Sequence, residues 1–230
     1  MTDTVVFIQN RTHRAGAQTC LMRLLRHAAM RRWKPVLVCS PGGWLPEECR
    51  RHGIAVIEQA FPRSRSAAGR LWGNAAFAKD VAAKLAARGF MPKIVHANDH
   101  QEGLLGLRLA ERLSARTAMF LRSPRMAEDD YRKYRCGEYA FLSAVGDEFR
   151  GRAQAWEPRK KIELIYDGIY EDEFDQPKQK PSAPPQRVLV VGSPLDWKGW
   201  ADLTEAMFLL EQAGVALPAE FDFTGVRPEP

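Results

Sequence analysis

The chain has 230 residues, 45% of them apolar and 27% charged, the proportions of an ordinary globular protein with room for one large domain, or one domain and part of another. A disordered or fibrous chain is excluded. The 34 Lys and Arg against 28 Asp and Glu give a net +6 that hides an asymmetry: residues 1–165 carry 29 basic and 16 acidic groups, net +13, and residues 166–230 carry 5 and 12, net −7. A basic stretch of that size points to an anionic partner, whether a phosphate-bearing small molecule, an acidic membrane surface or nucleic acid; a merely well-solvated surface is the alternative.

The first apolar run, Val5 to Ile8, follows Asp3 and has no basic residues before it, so it is too short and wrongly flanked for a signal peptide. No window approaches the roughly 18 apolar residues of a membrane span. The chain reads as cytoplasmic, with peripheral membrane contact in keeping with its charge. Cys20, Cys39, Cys49 and Cys136 form no C-x-x-C pair, which argues against a zinc ribbon or a thioredoxin motif and for reduced thiols.

In chain order, short β-rich runs alternate with longer helical ones. Val5–Ile8, Pro35–Cys39, Ile54–Ile57, Ile94–His96, Thr117–Leu121, Ala140–Val145 and Ile162–Ile165 read as strands, mostly as continuous apolar runs and hence buried on both faces. Ala17, Leu21, Leu24 and Ala28 mark one helical face; Leu71, Ala75, Ala78, Ala82 and Leu85 mark another. This alternation predicts an α/β domain with a doubly wound, Rossmann-like parallel sheet over residues 1–174. Residues 175–186 contain four prolines and nothing large to bury, so they read as a linker. Beyond it the pattern restarts over 187–230 with a strand at Val188–Gly192, a helix from Trp200 to Ala213 and a strand at Phe221–Gly225. Two strands and a helix in about 44 residues are too little for a closed core, so this second Rossmann-like domain is expected to be incomplete.

Four loops carry candidate chemistry. Asn10–Gln18 leads from the first strand into a helix starting near Gly16 or Ala17, where free backbone N–H groups favour an anion; a plain tight turn explains Gly16 equally well. It holds no G-x-G-x-x-G, so a dinucleotide is poorly supported. His96-Ala97-Asn98-Asp99-His100 ends the fourth strand at the edge where open α/β sheets hold ligands. Its alternative readings are a helix cap by Asn98 or Asp99 and a metal site, the latter disfavoured because an i, i+4 ligand pair needs a helix already formed at His96, where the chain is still a strand. Arg122 and Arg125 follow the fifth strand, where a guanidinium fork suits carboxylate or phosphate. Gly192 to Trp200 places Lys198 beside Gly199 at a helix start, a phosphate-attracting turn that is not a Walker loop.

These pieces in this order resemble the N-terminal portion of the retaining GT-B glycosyltransferases of family 4. Gly16-Ala17-Gln18 is similar to the family's Gly-Gly-Ala-Glu entry to the first helix, and Val95-His96-Ala97-Asn98-Asp99 to its Val-His-Ala-His-Asp segment. Ile165-Tyr166-Asp167-Gly168-Ile169 through Phe174 resembles its Ile-Pro-Asn-Gly-Val signature, and Val190 through Gly199 its Val-Gly-Arg-x-x-x-x-Lys-Gly loop. Asn98 stands where the family has a sugar-contacting histidine, and Ser193 where it has an arginine that holds the donor diphosphate. The family's Glu-x7-Glu element, which holds the donor's sugar and ribose, is expected well beyond Pro230.

The resemblance implies an α/β, GT-B sugar-transfer enzyme of hexosyltransferase type. A nucleotide-sugar would be the donor and a glycan or lipid-linked molecule the acceptor, in envelope polysaccharide or lipopolysaccharide synthesis on the inner face of the membrane. Lys198, Gly192, Ser193, Asn98 and Gly16 would lie on the donor side; Ala17, His96 and Arg122 on the acceptor side. No metal, cofactor or nucleic acid is expected, and no catalytic residue is assigned. The 230 residues are expected to be part of a longer enzyme and inactive alone. A non-catalytic basic module that holds an anionic ligand or membrane surface is the competing expectation.

Overall fold

The computed structural model describes residues 3–31, 33–62, 67–123, 125–173, 187–192, 198–217 and 219–224. The chain divides into two units, residues 1–174 and 175–230. The proline-rich stretch 175–186 lies outside the described residues.

In the first unit, β1 (Thr4–Gln9), β2 (Lys34–Cys39), β3 (Ala55–Glu58), β4 (Pro92–Ala97), β5 (Arg116–Leu121), β6 (Phe141–Ala144) and β7 (Ile162–Leu164) form one sheet in the order β3-β2-β1-β4-β5-β6-β7, parallel throughout. The intervening helices are α1 (Gly16–Met30), α2 (Trp44–Arg51), α3 (Ala67–Ala87), α4 (Gly103–Leu113), α5 (Glu128–Lys133) and α6 (Asp147–Trp156). Because strand side chains alternate, β1 feeds two cores. Val6 and Ile8 pack with Phe77, Val81 and Leu85 of α3 and Leu105 and Leu109 of α4; Val5 and Phe7 pack with Leu21 and Leu25 of α1 and Leu45 of α2. A third cluster joins Met119, Leu121 and Leu142 to Tyr131 of α5 and Phe149 of α6. Truncating a fully buried leucine such as Leu25 to alanine costs about 2–5 kcal/mol.

The doubly wound parallel sheet is therefore as the sequence predicts, and all six residues of β1 are buried. The inner face of α3 differs in detail. Ala75 is exposed, and Phe77 and Val81 fill the core beside Ala78 and Leu85. The small-residue stripe misled because bulky side chains bury more apolar area per position than alanines do.

The second unit holds β8 (Arg187–Val191), α7 (Trp200–Gln212) and β9 (Glu220–Thr224), with β8 and β9 parallel and paired from Arg187↔Glu220 to Val191↔Thr224. The Trp200 and Phe223 rings lie 5.1 Å apart. Among the described residues α7 buries none of its side chains within this unit, and Leu189, Val191, Phe208 and Leu209 are more than half exposed. A strand–helix–strand unit of this size leaves one sheet face and much of its helix without apolar cover.

One glycine is fixed by packing. A Cβ on Gly106 of α4 would fall inside contact distance of Tyr139 Oη, and Tyr139 is fully buried with its hydroxyl donating to the Gly103 carbonyl at 2.7 Å. Gly151, within α6, would meet nothing within 4 Å. Gly106→Ala should lower unfolding stability by about 2–3 kcal/mol, and Gly151→Ala should raise it by about 0.5–1 kcal/mol. Urea titration of both variants checks the contrast, and equal effects would mean that Tyr139 moves aside freely.

Candidate functional site

The chain runs from β1 to β2 on one side and returns to β4 on the other, so the carboxyl ends of β1 and β4 form the switch point of the sheet, where open α/β folds bind ligands. Gly16 and Ala17 open α1 above this point. Ala15 precedes them in extended conformation, and no side chain caps the helix, so the first-turn N–H groups are available to an anion. A Cβ on Gly16 would meet nothing within 4 Å; packing does not demand glycine there.

Asn98, expected to face a donor sugar, has no exposed surface. Its amide nitrogen donates to Gln9 Oε1 at 2.5 Å and lies 3.5 Å from the Ala17 carbonyl, and its oxygen accepts from Arg122 Nε at 3.1 Å. His96, expected on the acceptor side, packs between the rings of Phe7 and Phe120, at 5.0 and 4.9 Å. Burial, followed by the nearby Arg122 charge, pushes its imidazole down to about 3, so it stays neutral. The alternation of β4 explains the burial: residues 94 and 96 point to one face of the sheet and 95 and 97 to the other, so His96 lies under α1 rather than in the loop. Asp99 takes the capping role, accepting the His100 N–H at 2.8 Å at the start of a short 3₁₀ turn, His100–Glu102. It also accepts from His100 Nδ1, Ser123 Oγ and the Arg122 N–H. Burial raises the Asp99 carboxyl, but the His100 ring and the Ser123 hydroxyl outweigh it and hold the group below its ordinary value.

Arg122 joins these parts. Its side chain is only 5% exposed; Nε binds Asn98, Nη1 donates to both oxygens of Asp167 at 2.7 and 2.8 Å, and Nη2 is buried without a partner. Asp167 follows β7, on a segment that Tyr170 fastens to α1 by donating its hydroxyl to the Arg23 carbonyl at 2.6 Å, while Glu173 pairs with the Arg23 guanidinium. Between this segment, α1 and β5 lies a cleft of about 340 Å³ whose walls include Cys20, Leu24, Phe120, Arg122, Ile165 and Tyr166. Asp167 falls within the segment that resembles the family's Ile-Pro-Asn-Gly-Val signature, and the resemblance assigns it no role. The available signal is positional: Arg122 and Asp167 each end a parallel strand on the same edge, where opposite charges of that reach meet.

Glu102 was not anticipated. It is 3% exposed, its Oε1 accepts the Asn10 N–H at 3.0 Å, and its Oε2 has no partner. Burial, with the Asp99 charge adding to it against the Asn10 hydrogen bond, raises its carboxyl to about 7. Nothing in the Gln101-Glu102-Gly103 sequence announces a buried acid.

In the second unit Gly192 follows β8 with φ +148°, and Gly199 caps α7 with φ +71°, backbone that favours glycine. Lys198 is exposed immediately before that cap. Ser193 lies outside the described residues. Among the described residues no group of three His, Cys, Asp or Glu could hold a metal ion, and no helix is long and apolar enough to cross a membrane.

Two experiments probe this edge. Asp167→Asn should cost about 3 kcal/mol because it leaves the buried Arg122 charge uncompensated, and Arg122→Gln only about 1–2 kcal/mol because Asp167, a third exposed, turns to water; the reverse order in urea titrations would contradict the burial argument. Between pH 4.5 and 7 the folded protein keeps a proton on Glu102 that the unfolded chain has lost, so this group's contribution, fully present below 4.5, is lost as pH rises to 7. His96 opposes it, its contribution being present above pH 6.5 and lost as pH falls towards 3. The stability of Glu102→Gln relative to the parent should therefore grow by about 3 kcal/mol from pH 4.5 to 7 and stay level above. A pH-independent difference would place the Glu102 carboxyl at its ordinary value.

No family model and no curated protein sequence matches the chain. Solved structures do. HepE of Anabaena, determined with UDP and glucose, superposes with a TM-score of 0.68 at 14% identity, over 95% of this chain and 68% of that one. A glycosyltransferase from Rickettsia africae gives 0.64 at 19%, over 92% and 58%. The lipopolysaccharide outer core galactosyltransferase WaaB gives 0.56 at 12%, over 96% and 59%. At these identities the likeness establishes the α/β, Rossmann-like fold.

Proposed function

We propose that the chain belongs to a retaining GT-B glycosyltransferase of family 4 that moves a hexose from a nucleotide-sugar to a glycan or lipid-linked acceptor in envelope polysaccharide or lipopolysaccharide synthesis. The observation that carries this reading is the likeness, over 95% of the chain, to a protein solved with UDP and glucose. The WaaB likeness supports the envelope assignment. In such a transfer the departing diphosphate gathers charge as the bond to the sugar breaks, and fixed cations and backbone N–H groups stabilise it. Within the second unit, Lys198 beside the start of α7 supplies both. Arg122 and the apolar walls beside it serve the acceptor, while Asn98 acts by holding Arg122 in place.

Lys198→Ala should weaken UDP binding by about 1.5–3 kcal/mol, the range for a hydrogen bond to a charged group, without changing the melting temperature, since Lys198 is exposed. Isothermal calorimetry measures it, and an unchanged affinity would reduce Lys198 to a surface charge. Retention is checked by the anomeric configuration of the product in NMR.

A further inference from the structure

The β1–α1 loop is held from two sides. On the β2 side, Asn10 Oδ1 accepts the Ser40 hydroxyl at 2.8 Å, and the Thr12 carbonyl accepts the Leu45 N–H at 2.9 Å in the first turn of α2. Thr12 stands so close to Gly43 that a Cβ on that glycine would fall 2.6 Å from Thr12 Oγ1, and the Arg14 guanidinium lies 5.6 Å over the Trp44 ring. On the β4 side, among the described residues, the hydrogen bond that reaches the loop is the one from the Asn10 N–H to Glu102 Oε1. Asn10, the residue after β1, is thus where both anchors meet.

The two anchors differ in kind. Those on the β2 side are hydroxyl, backbone and ring contacts with no proton to lose near neutral pH. Holding the Asn10 N–H needs only a carbonyl oxygen, which a glutamine would supply at every pH. The chain places an ionisable group there instead, buries it, and leaves Oε2 without a partner. The titratable groups that face it are Asp99 and His100 beside it in the same turn and Tyr139 from the segment before β6. Of the two carboxyls, Asp99 is the one held ionised, by His100 and Ser123. A second carboxylate in this dry setting would be repelled by Asp99 with one N–H in compensation, so Glu102 keeps the proton. Once ionised it gains by reaching water, and that movement withdraws Oε1 from Asn10.

We propose that Glu102 is a proton-operated latch on the β1–α1 loop: protonated, it holds Asn10 against the turn that begins α4; ionised, it turns to water and frees the loop on that side. The loop carries the exposed Arg11 and Arg14 into the start of α1, so the latch sets how firmly those cations and the first-turn N–H groups are presented. The proposal does not rest on sugar transfer, because its readout is the loop itself. With the loop closed, Glu102 holds its proton up to about pH 7; with the loop open, it loses it near the ordinary value of 4.5. The open fraction is therefore lowest below pH 4.5, rises about tenfold per pH unit up to 7, about 300-fold in all, and is level above.

The test is amide hydrogen exchange of the full chain by NMR between pH 4.5 and 8, with each rate expressed as protection relative to an unstructured peptide. Protection of the Asn10 amide should fall about 300-fold up to pH 7 and then stay level. At every pH it should lie at least about tenfold below that of Leu25, a fully buried residue of α1 that reports opening of the whole fold. Glu102→Gln keeps the accepting oxygen and has no proton to lose, so its Asn10 protection should not change with pH. Should that variant fail to fold, the profile of the parent decides alone. Asn10 protection that is independent of pH in the parent, that equals the protection of Leu25, or that falls as steeply in Glu102→Gln as in the parent would each overturn the proposal.

Discussion

The carboxyl edge of the first unit depends on one buried guanidinium. Arg122 reaches Asn98 after β4 and Asp167 after β7, and its own N–H reaches Asp99. Three strand ends and the segment crossing α1 are thereby registered on a single side chain. Taking such a charge out of water is costly, and it is tolerated here because Nε and Nη1 have fixed acceptors in a low-dielectric setting. Nη2 is left without one. A donor held in place by its neighbours and still unpaired is preorganised for an incoming oxygen, since no rearrangement is needed to engage it.

The sheet was legible because its physics is local and repeated. A parallel strand covered by helices on both faces must be apolar at consecutive positions, and Val5–Ile8 and Val36–Cys39 are so without interruption. The strand–helix alternation then leaves few topologies, as crossovers are right-handed and short. The site was less legible. Arg122 was singled out from its position after a strand, but its partner lies 45 residues away, and no pattern in a single sequence pairs two such side chains. Asn98 and His96 were picked by residue type; which way each side chain turns is set by the pleat and by Gln9, Phe7 and Phe120 around them.

Glu102 and His96 show that burial alone acts in opposite senses on an acid and a base. Each is kept neutral by desolvation, the acid by keeping its proton and the imidazole by losing it. Their contributions to stability run against one another between pH 4.5 and 6.5, so over that range the two perturbed groups offset each other. Glu102 also ties the first residue of the β1–α1 loop, through Asn10, to the turn that begins α4. The loop that opens α1 is thus anchored by a side chain whose charge state changes near neutral pH.

Charge is sorted along the strands as well as along the sequence. At the carboxyl edge Arg122 and Arg23 are neutralised by Asp167 and Glu173, and what is left to attract an anion there is the exposed Arg11 and Arg14 of the β1–α1 loop together with the short-ranged helix starts. At the amino edge Arg31, Lys34, Lys93, Arg112 and Arg116 are in no ion pair among the described residues, and their field extends outward to the limit set by salt. A parallel sheet with its helices returning alongside makes this division natural, because every strand begins on one edge and ends on the other. The hydrogen-bonded cluster of Asn98, Asp99, Arg122 and Asp167 collects where the strands end.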